Sequence, residues 1–171
     1  WLRRGETAAE TAEVATYDAA RFQASLDRVR QLTLHTTTGF DEQLQKLCAD
    51  VGVVVLFVPE LPKARVSGAA RWIMGKPVIQ LSLRHKTDDH LWFAFFHEAG
   101  HILLHGRQHT FVDEDMADSE RQGQEAEADQ FASELLIPSE KMDQFIRQQR
   151  GLFSKAAITQ FAKDVGVAPG V

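Results

Sequence analysis

The sequence contains one cysteine, no apolar run long enough to cross a membrane, and no N-terminal signal-peptide pattern. A single thiol excludes a disulfide within the chain, and the missing targeting and membrane segments favour the reducing cytoplasm over an extracellular location. The thiol, Cys48, shares a helical stripe with Leu44, Leu47 and Val51. We therefore predict that Cys48 is a buried, unreactive core residue and not a metal ligand.

Basic residues are too few and too scattered to form a nucleic-acid footprint. The chain has 19 lysine and arginine residues against 24 aspartate and glutamate residues, a formal net charge of −5 and an isoelectric point near 5.8. Proteins that bind nucleic acid by displacing its counter-ions present a clustered positive surface. The composition predicts that this segment neither contacts nucleic acid directly nor associates with membranes.

The length of 171 residues suits one compact domain. We place one folded domain at residues 40–171 and an N-terminal helical or linker segment at residues 1–39. Residues 5–16 are rich in Ala, Glu and Thr, which predicts a peripheral, loosely held helix or linker. The chain begins at Trp1 rather than methionine and ends in a turn-like Ala-Pro-Gly-Val, so we interpret it as a fragment of a longer protein.

Apolar periodicity predicts an α+β fold, in which a small, mostly antiparallel sheet packs against a helical bundle. Residues 53–58 are a continuous apolar, β-branched run typical of a buried strand. Residues 65–74 and 78–83 predict a hairpin, and alternation in its second strand predicts one buried and one solvated face. Helical spacing predicts the other elements, at residues 18–32, 40–51, 88–106, 124–138 and 157–165.

The residues most informative about function lie in the apolar segment 92–106. On a helix, His97 and His101 lie about 40° apart round the axis and about 6 Å apart along it, so both rings can clamp one metal ion. Glu98 is turned by about 100° and reaches the side where water or substrate would lie. This is the HExxH signature of zinc metallopeptidases. A packed, hydrogen-bonded histidine pair is the alternative, but buried ionisable groups are costly unless paired or metal-bound.

Catalytic zinc requires a third protein ligand from elsewhere in the chain. The candidates are His105, His109, the acidic residues of a predicted solvated loop at 107–123, Glu125 and Glu127. His105 lies one turn beyond His101, and three ligands from one straight helix cannot easily close a tetrahedron, so we predict a structural or supporting role for it. The inner stripe of the helix at 124–138 projects back to Glu125, whereas Glu127 lies about 200° away and should face solvent. We predict Glu125 as the third ligand.

Asp129 follows Glu125 by four residues and shares its helix face. A carboxylate in that position can accept the free N–H of a liganding histidine and fix the orientation of the ring. The alternative is an ordinary surface acid. The sequence does not rank the groups that could stabilise an oxyanion, which are His85, His90, His109, Arg71 and Arg84.

Two motifs, occurring in order, carry a family resemblance. They are HEAGHILLHG at residues 97–106 and ExxADxFAxxLLIP at residues 125–138. Together they resemble the ImmA/IrrE family of bacterial zinc metallopeptidases, roughly from Val53 to the C-terminus. The resemblance implies a zincin-like or gluzincin-like fold, Zn²⁺ as cofactor with His97, His101 and Glu125 as ligands, and Glu98 as the catalytic acid. Family members often have Asn at the position of Asp129, a mild departure.

Residues 65–72 and 82–92 further resemble the subgroup fused to a helix-turn-helix regulator of the HigA or XRE type. Such a DNA-binding domain would precede Trp1. By resemblance, the partner is a protein substrate, a transcriptional repressor or antitoxin whose cleavage switches a bacterial stress, prophage or mobile-element response.

These observations predict that residues 40–171 are a zinc metallopeptidase domain. In this zinc endopeptidase hypothesis, Glu98 transfers the proton and the metal polarises the scissile carbonyl. An extended substrate could pair with the strand at 78–83 if that strand lies at an edge. Two alternatives share every motif: a non-proteolytic zinc-binding sensing module of a DNA-binding regulator, and a hydrolase of non-peptide amides. Replacing Glu98 by glutamine separates the first alternative from the hypothesis, because it should abolish cleavage and leave zinc bound.

Overall fold

The computed structural model describes residues 1–35, 39–59, 67–82, 88–106 and 118–171. The predicted α+β class is confirmed. The helices in these ranges are α1 (Leu2–Thr11), α2 (Ala19–Leu32), α3 (Phe40–Ala49), α4 (Asp88–Gly100), α5 (Asp118–Leu136), α6 (Ser139–Gln149) and α7 (Lys155–Val165), with a 3₁₀ turn at Thr33–His35 and a π-helical turn at His101–His105. The strands are β1 (Val54–Val58), β2 (Gly68–Ile73) and β3 (Lys76–Ser82). Most of the loop predicted at 107–123 lies outside the described residues, and α5 begins at Asp118.

The three strands form a mixed sheet in the order β1-β3-β2. β2 and β3 are the predicted hairpin, antiparallel and joined at Gly75, whose φ of +78° suits glycine. β1 joins the other side of β3 in parallel, with Val54 opposite Val78. β3 is therefore central, so the condition for substrate pairing on it is not met. Within the described residues, β2 is an edge strand.

The second face of the sheet is covered by α1 and is not solvated as the alternation predicted. Gln80 on this face is fully buried, and its Nε2 donates to the backbone oxygen of Trp1 over 2.9 Å. The small residues Gly5 and Ala9 are the buried positions of α1, and they let the helix approach the strands closely. Residues 2–11 form a helix that packs on the sheet, although the segment was expected to be only loosely held, because a helix with few large apolar residues can still pack when its contact face is small.

Polar side chains fasten α1 to the sheet. Arg71 of β2 pairs with Glu6 over 2.7 Å and donates to the backbone oxygen of Leu2 over 2.8 Å. Lys76 donates to the backbone oxygen of Ala12 over 2.8 Å. The bonds from Arg71 hold the N-terminal half of α1 beside β2, and the bond from Lys76 holds the C-terminal end of α1 at the start of β3.

The main core lies on the opposite face of the sheet. Phe22, Leu26 and Val29 of α2 repeat at helical spacing and are fully buried there. Trp92 of α4 is fully buried in the same core, which anchors the helix that carries the HExxH residues. Burial of each large apolar side chain stabilises the fold by about 1.5 to 3 kcal/mol. Cys48 is completely buried, as predicted, and burial raises the pKa of its thiol to about 12.

Side chains cap the first turns of two helices, whereas α5 begins before the predicted residue 124. Asp18 caps α2 by accepting from the backbone N–H of Arg21 over 2.9 Å, and Ser154 caps α7 in the same way. Arg30 of α2 donates to the backbone oxygens of Leu136 and Val165, which ties α2 to the ends of α5 and α7. Among the described helices, none has both the length and the apolar character that a bilayer span requires.

Candidate metal centre

The two histidines of the HExxH motif face each other at the junction of α4 and the π-helical turn. His97 lies in the last turn of α4, and His101 is the first residue of the π-helical turn. Their Nε2 atoms are 2.9 Å apart. The side chain of His101 is 2% exposed and that of His97 is 16% exposed, so the pair opens to solvent on the His97 side.

Glu125 of α5 completes the group, as the helical stripe predicts. Its two carboxylate oxygens lie 3.3 Å from Nε2 of His97 and 3.6 Å from Nε2 of His101. One ligand atom from each of the three residues lies within 4.8 Å of the others, and the group could hold a metal ion. The arrangement depends on close packing of α4 on α5: a Cβ on Gly100 would lie 3.3 Å from the Cα of Ala128.

Asp129 lies behind His97, on the side of the ring away from the other two residues. Its Oδ1 is 2.8 Å from Nδ1 of His97. An ionised carboxylate can only accept, so Nδ1 of His97 donates to Asp129, and the tautomer with its single proton on Nδ1 presents a lone pair at Nε2. The predicted location of Asp129 on the face of Glu125 is thus observed, and its contact is with a ring nitrogen.

Glu98 is buried against the edge strand β2. The pKa of its carboxyl group is raised to about 8 by burial and, to a smaller extent, by the charge of Glu125, while a hydrogen bond with the backbone of Ala70 partly opposes both effects. Gly68 of the same strand makes room for the side chain, because a Cβ there would lie 2.5 Å from Glu98 Oε1. The sequence did not indicate this requirement for glycine.

The electrostatics of the group favour a bound cation. Burial, then the neighbouring His97 and His105, lower the pKa of His101 to about 3, so its ring is neutral. Lone pairs of His97 and Glu125 converge on it, and such groups repel unless a positive ion lies between them. Nitrogen ligands on a tetrahedral zinc ion are about 3.3 Å apart, close to the separations observed here. Two imidazoles and one carboxylate are also a ligand set that zinc uses in catalytic sites.

The group opens into a cavity of about 810 Å³. Its walls come from the start of α1, from β2, from α4 and from α5. The lining includes Trp1, Leu2, Arg3, Gly68, Ala69, Arg71, His90, Phe93, His97, Glu98, His101, Glu125 and Asp129. Of the five candidates for stabilising an oxyanion, Arg71 and His90 line the cavity, whereas His85, His109 and Arg84 lie outside the described residues.

The sequence did not indicate the two side-chain hydrogen bonds of His105 at this centre. Nδ1 of His105 is 3.0 Å from Nδ1 of His101, and Nε2 of His105 is 3.0 Å from Oε2 of Glu127. Glu127 is exposed, as its helical position predicts, but it is hydrogen-bonded. The spacing of four residues between His101 and His105 was the available signal, and the π-helical turn between them was not predictable from it.

Comparison with known proteins agrees with the two motifs. No curated protein gave a significant match to the chain. A family model described as Peptidase_M78, the IrrE N-terminal-like domain, matches residues 48–170. This match spans most of the sequence, including α4, α5 and the whole cavity-lining group apart from the start of α1. The chain belongs to the IrrE N-terminal-like Peptidase_M78 family, which supports a function of the metallopeptidase type.

Proposed function

We propose that the protein is a zinc-dependent endopeptidase. The observation that carries the proposal is the convergence of His97, His101 and Glu125 beside the buried carboxyl group of Glu98, all four on the wall of one open cavity. Metal ligands, a proton-transfer group and space for substrate are the parts that metal-assisted hydrolysis requires.

His97, His101 and Glu125 would hold the zinc ion, and three protein ligands leave a coordination position open. When bound there, zinc lowers the pKa of water and polarises a carbonyl group. Asp129 would keep His97 oriented by accepting a hydrogen bond from its Nδ1–H, with Nδ1 and Oδ1 2.8 Å apart. His101 remains neutral because its ring is buried, so it is available as a ligand at neutral pH.

Glu98 would transfer the proton. Its carboxylate takes a proton from the attacking water as the new carbon–oxygen bond forms, and it delivers that proton to the leaving nitrogen as the peptide carbon–nitrogen bond breaks. Burial of the side chain keeps its affinity for a proton high, which suits a group that both accepts and donates. A hydrogen bond with the backbone of Ala70 holds the carboxyl group, and the absence of a side chain at Gly68 leaves room for it.

The substrate would bind in extended form along β2. Gly68 and Ala69 line the cavity next to His97 and Glu98, and β2 is the edge of the described sheet. A peptide that adds to an edge strand gains main-chain hydrogen bonds without a particular side-chain sequence. The scissile carbonyl would then lie near the three converging side chains.

The substrate protein is proposed by resemblance to the ImmA/IrrE family. We propose a transcriptional repressor or antitoxin, cleaved in a bacterial stress, prophage or mobile-element response, and a natural fusion of this chain to a HigA-type or XRE-type DNA-binding regulator. Membership of the family supports the metallopeptidase part of this proposal. The identity of the substrate rests on the resemblance alone.

Metal analysis tests the site. The wild type should carry about one zinc ion per chain, and His97→Ala and Glu125→Ala should be depleted of it. Glu120→Ala is the matched control, because Glu120 is an exposed residue of the same helix and does not line the cavity. A wild type that retains no divalent ion would refute the site.

Incubation with candidate repressors and antitoxins tests the activity. Wild-type protein should release fragments that Glu98→Gln does not release, while Glu98→Gln keeps its zinc. Signalling that survives Glu98→Gln would instead indicate a non-proteolytic zinc-binding module of a DNA-binding regulator. Turnover of small amides without any protein fragments would indicate a non-peptide hydrolase.

A further inference from the structure

A chain of hydrogen-bonding groups runs from the surface of α5 to the back of the His101 ring. Oε2 of Glu127 is 3.0 Å from Nε2 of His105, and Nδ1 of His105 is 3.0 Å from Nδ1 of His101. The side chain of His105 is 5% exposed, whereas that of Glu127 is 65% exposed. The contact to His101 is on Nδ1, whereas Nε2 of the same ring faces His97 and Glu125.

The chemistry of these groups determines which atom donates and which accepts in each hydrogen bond. The carboxylate of Glu127 only accepts, so Nε2 of His105 carries its proton. In the neutral ring, Nδ1 of His105 is then an acceptor. Nδ1 of His101 must therefore donate, which leaves Nε2 of His101 with a lone pair pointing at the metal-binding group. The opposite tautomer of His101 would place a proton where the metal ligand atom should be.

We propose that His105 and Glu127 are positioning residues that hold His101 in its Nδ1-protonated, metal-binding tautomer. The inference rests on the metal site in the proposed function. The contact of His101 with His105 corresponds to the contact of His97 with Asp129. In each histidine of the HExxH motif, Nδ1 thus has an acceptor, and Nε2 faces the metal-binding group. Histidine ligands of zinc commonly donate their second N–H in this way, and removing the acceptor weakens metal binding.

The backbone between the two rings supports the assignment. Residues His101–His105 form a π-helical turn at the end of α4. Single π turns inside helices are uncommon and recur at functional sites. Here the turn contains both rings of the pair and ends at Gly106, whose positive φ of 63° ends the helix.

Alanine substitutions of His105 and Glu127 give the direct test, in which zinc affinity is measured by competition against a chelator. His105→Ala removes the acceptor, so zinc affinity should fall by about 10-fold to 100-fold. Glu127→Ala should cause a smaller loss, since water can replace an exposed carboxylate. Glu127→Gln should stay close to wild type, because an amide oxygen still accepts from Nε2 of His105. Glu120→Ala, seven residues earlier on α5, is the matched control and should not change the affinity.

A spectroscopic readout separates positioning from a merely structural effect. Imidazole ¹⁵N chemical shifts of the metal-free wild type should show His101 protonated at Nδ1. The signals should shift toward a mixture of tautomers in Glu127→Ala and return in Glu127→Gln. Because Glu127 is on the surface, its variants should fold even if His105→Ala does not.

The outcomes are distinguishable from those of the proposed function. A wild type that binds zinc, together with Glu127→Ala and His105→Ala variants of unchanged affinity and tautomer, would overturn this inference alone. A wild type that binds no zinc would overturn the metal site and this inference with it. Loss of zinc affinity in Glu127→Ala and its recovery in Glu127→Gln would support the inference, whatever the protein substrate is.

Discussion

Replacing Gly68 with alanine adds one methyl group at the point where β2 meets the side chain of Glu98. The added Cβ would lie 2.5 Å from Oε1, 2.8 Å from Cγ and 3.0 Å from Cδ of Glu98. Ordinary contacts between such atoms are about 3.4 Å or longer. Glu98 is almost completely buried, so it cannot move aside into solvent, and either its carboxyl group or the strand must shift.

The expected cost follows from this overlap. Overpacking of a buried site by one methyl group costs about 1 to 3 kcal/mol. For a chain of this length, a loss of about 2 kcal/mol lowers the melting temperature by about 4 to 8 °C. A displacement of Glu98 approaching 1 Å should also reduce kcat by about 10-fold to 100-fold. Zinc content should not change, because the three atoms nearest to the added Cβ all belong to Glu98, which is not one of the three metal-binding residues.

The assays are thermal unfolding, metal analysis and hydrolysis of a protein substrate by the same preparation. Gly123→Ala is the matched control: a Cβ there meets no heavy atom within 4 Å, and the residue lies inside α5. That change should stabilise the protein by about 0.5 to 1 kcal/mol, because alanine favours a helix more than glycine does. If Gly68→Ala kept wild-type stability and full activity, the reasoning about the packing of Glu98 would be refuted.

Three further predictions follow from single side chains. The pKa of Glu98 is about 8 in the folded protein and about 4.5 in the unfolded chain, so the metal-free protein should lose stability as the pH rises between these values. The melting temperature of Glu98→Gln should therefore exceed that of the wild type clearly at pH 8 and only slightly at pH 5. Arg30→Ala should lower stability by about 2 kcal/mol in urea titrations, because the guanidinium group bonds the ends of α5 and α7, whereas exposed Arg28→Ala should have little effect. Iodoacetamide should label Cys48 only after unfolding, since its pKa is near 12 and it is fully buried, and rapid labelling of folded protein would contradict this.

The parts of the site that the sequence predicted depend on local spacing. His97 and His101 face each other because residues four apart on a helix share a face. Glu125 and Asp129 lie on one face of α5 for the same reason, and the apolar stripe of α5 indicated which face would point inward. Their convergence with α4 needed only that two apolar helix faces pack together, which the small residues at the contact allow.

The parts that the sequence did not predict depend on tertiary contacts. The alternation of polar and apolar residues predicted that Gln80 faces solvent, but α1, which is distant in sequence, covers it. Glu127 was correctly placed on the outer face of α5, yet the π-helical turn brings His105 to it. No periodic pattern in the sequence predicts either of these contacts. The parallel pairing of β1 with β3 is also non-local, since hairpin patterns report only antiparallel neighbours.

The position of α1 has a practical consequence for every fusion to this chain. Trp1, Leu2 and Arg3 lie on the rim of the same cavity that holds the HExxH side chains, and Arg71 fastens that end of the helix. Whatever is joined before Trp1, whether a purification tag or a natural regulatory domain, starts within reach of the entrance. Its bulk and charge would affect which polypeptides reach the cavity, so peptide turnover should be compared only between variants that carry the same N-terminal extension.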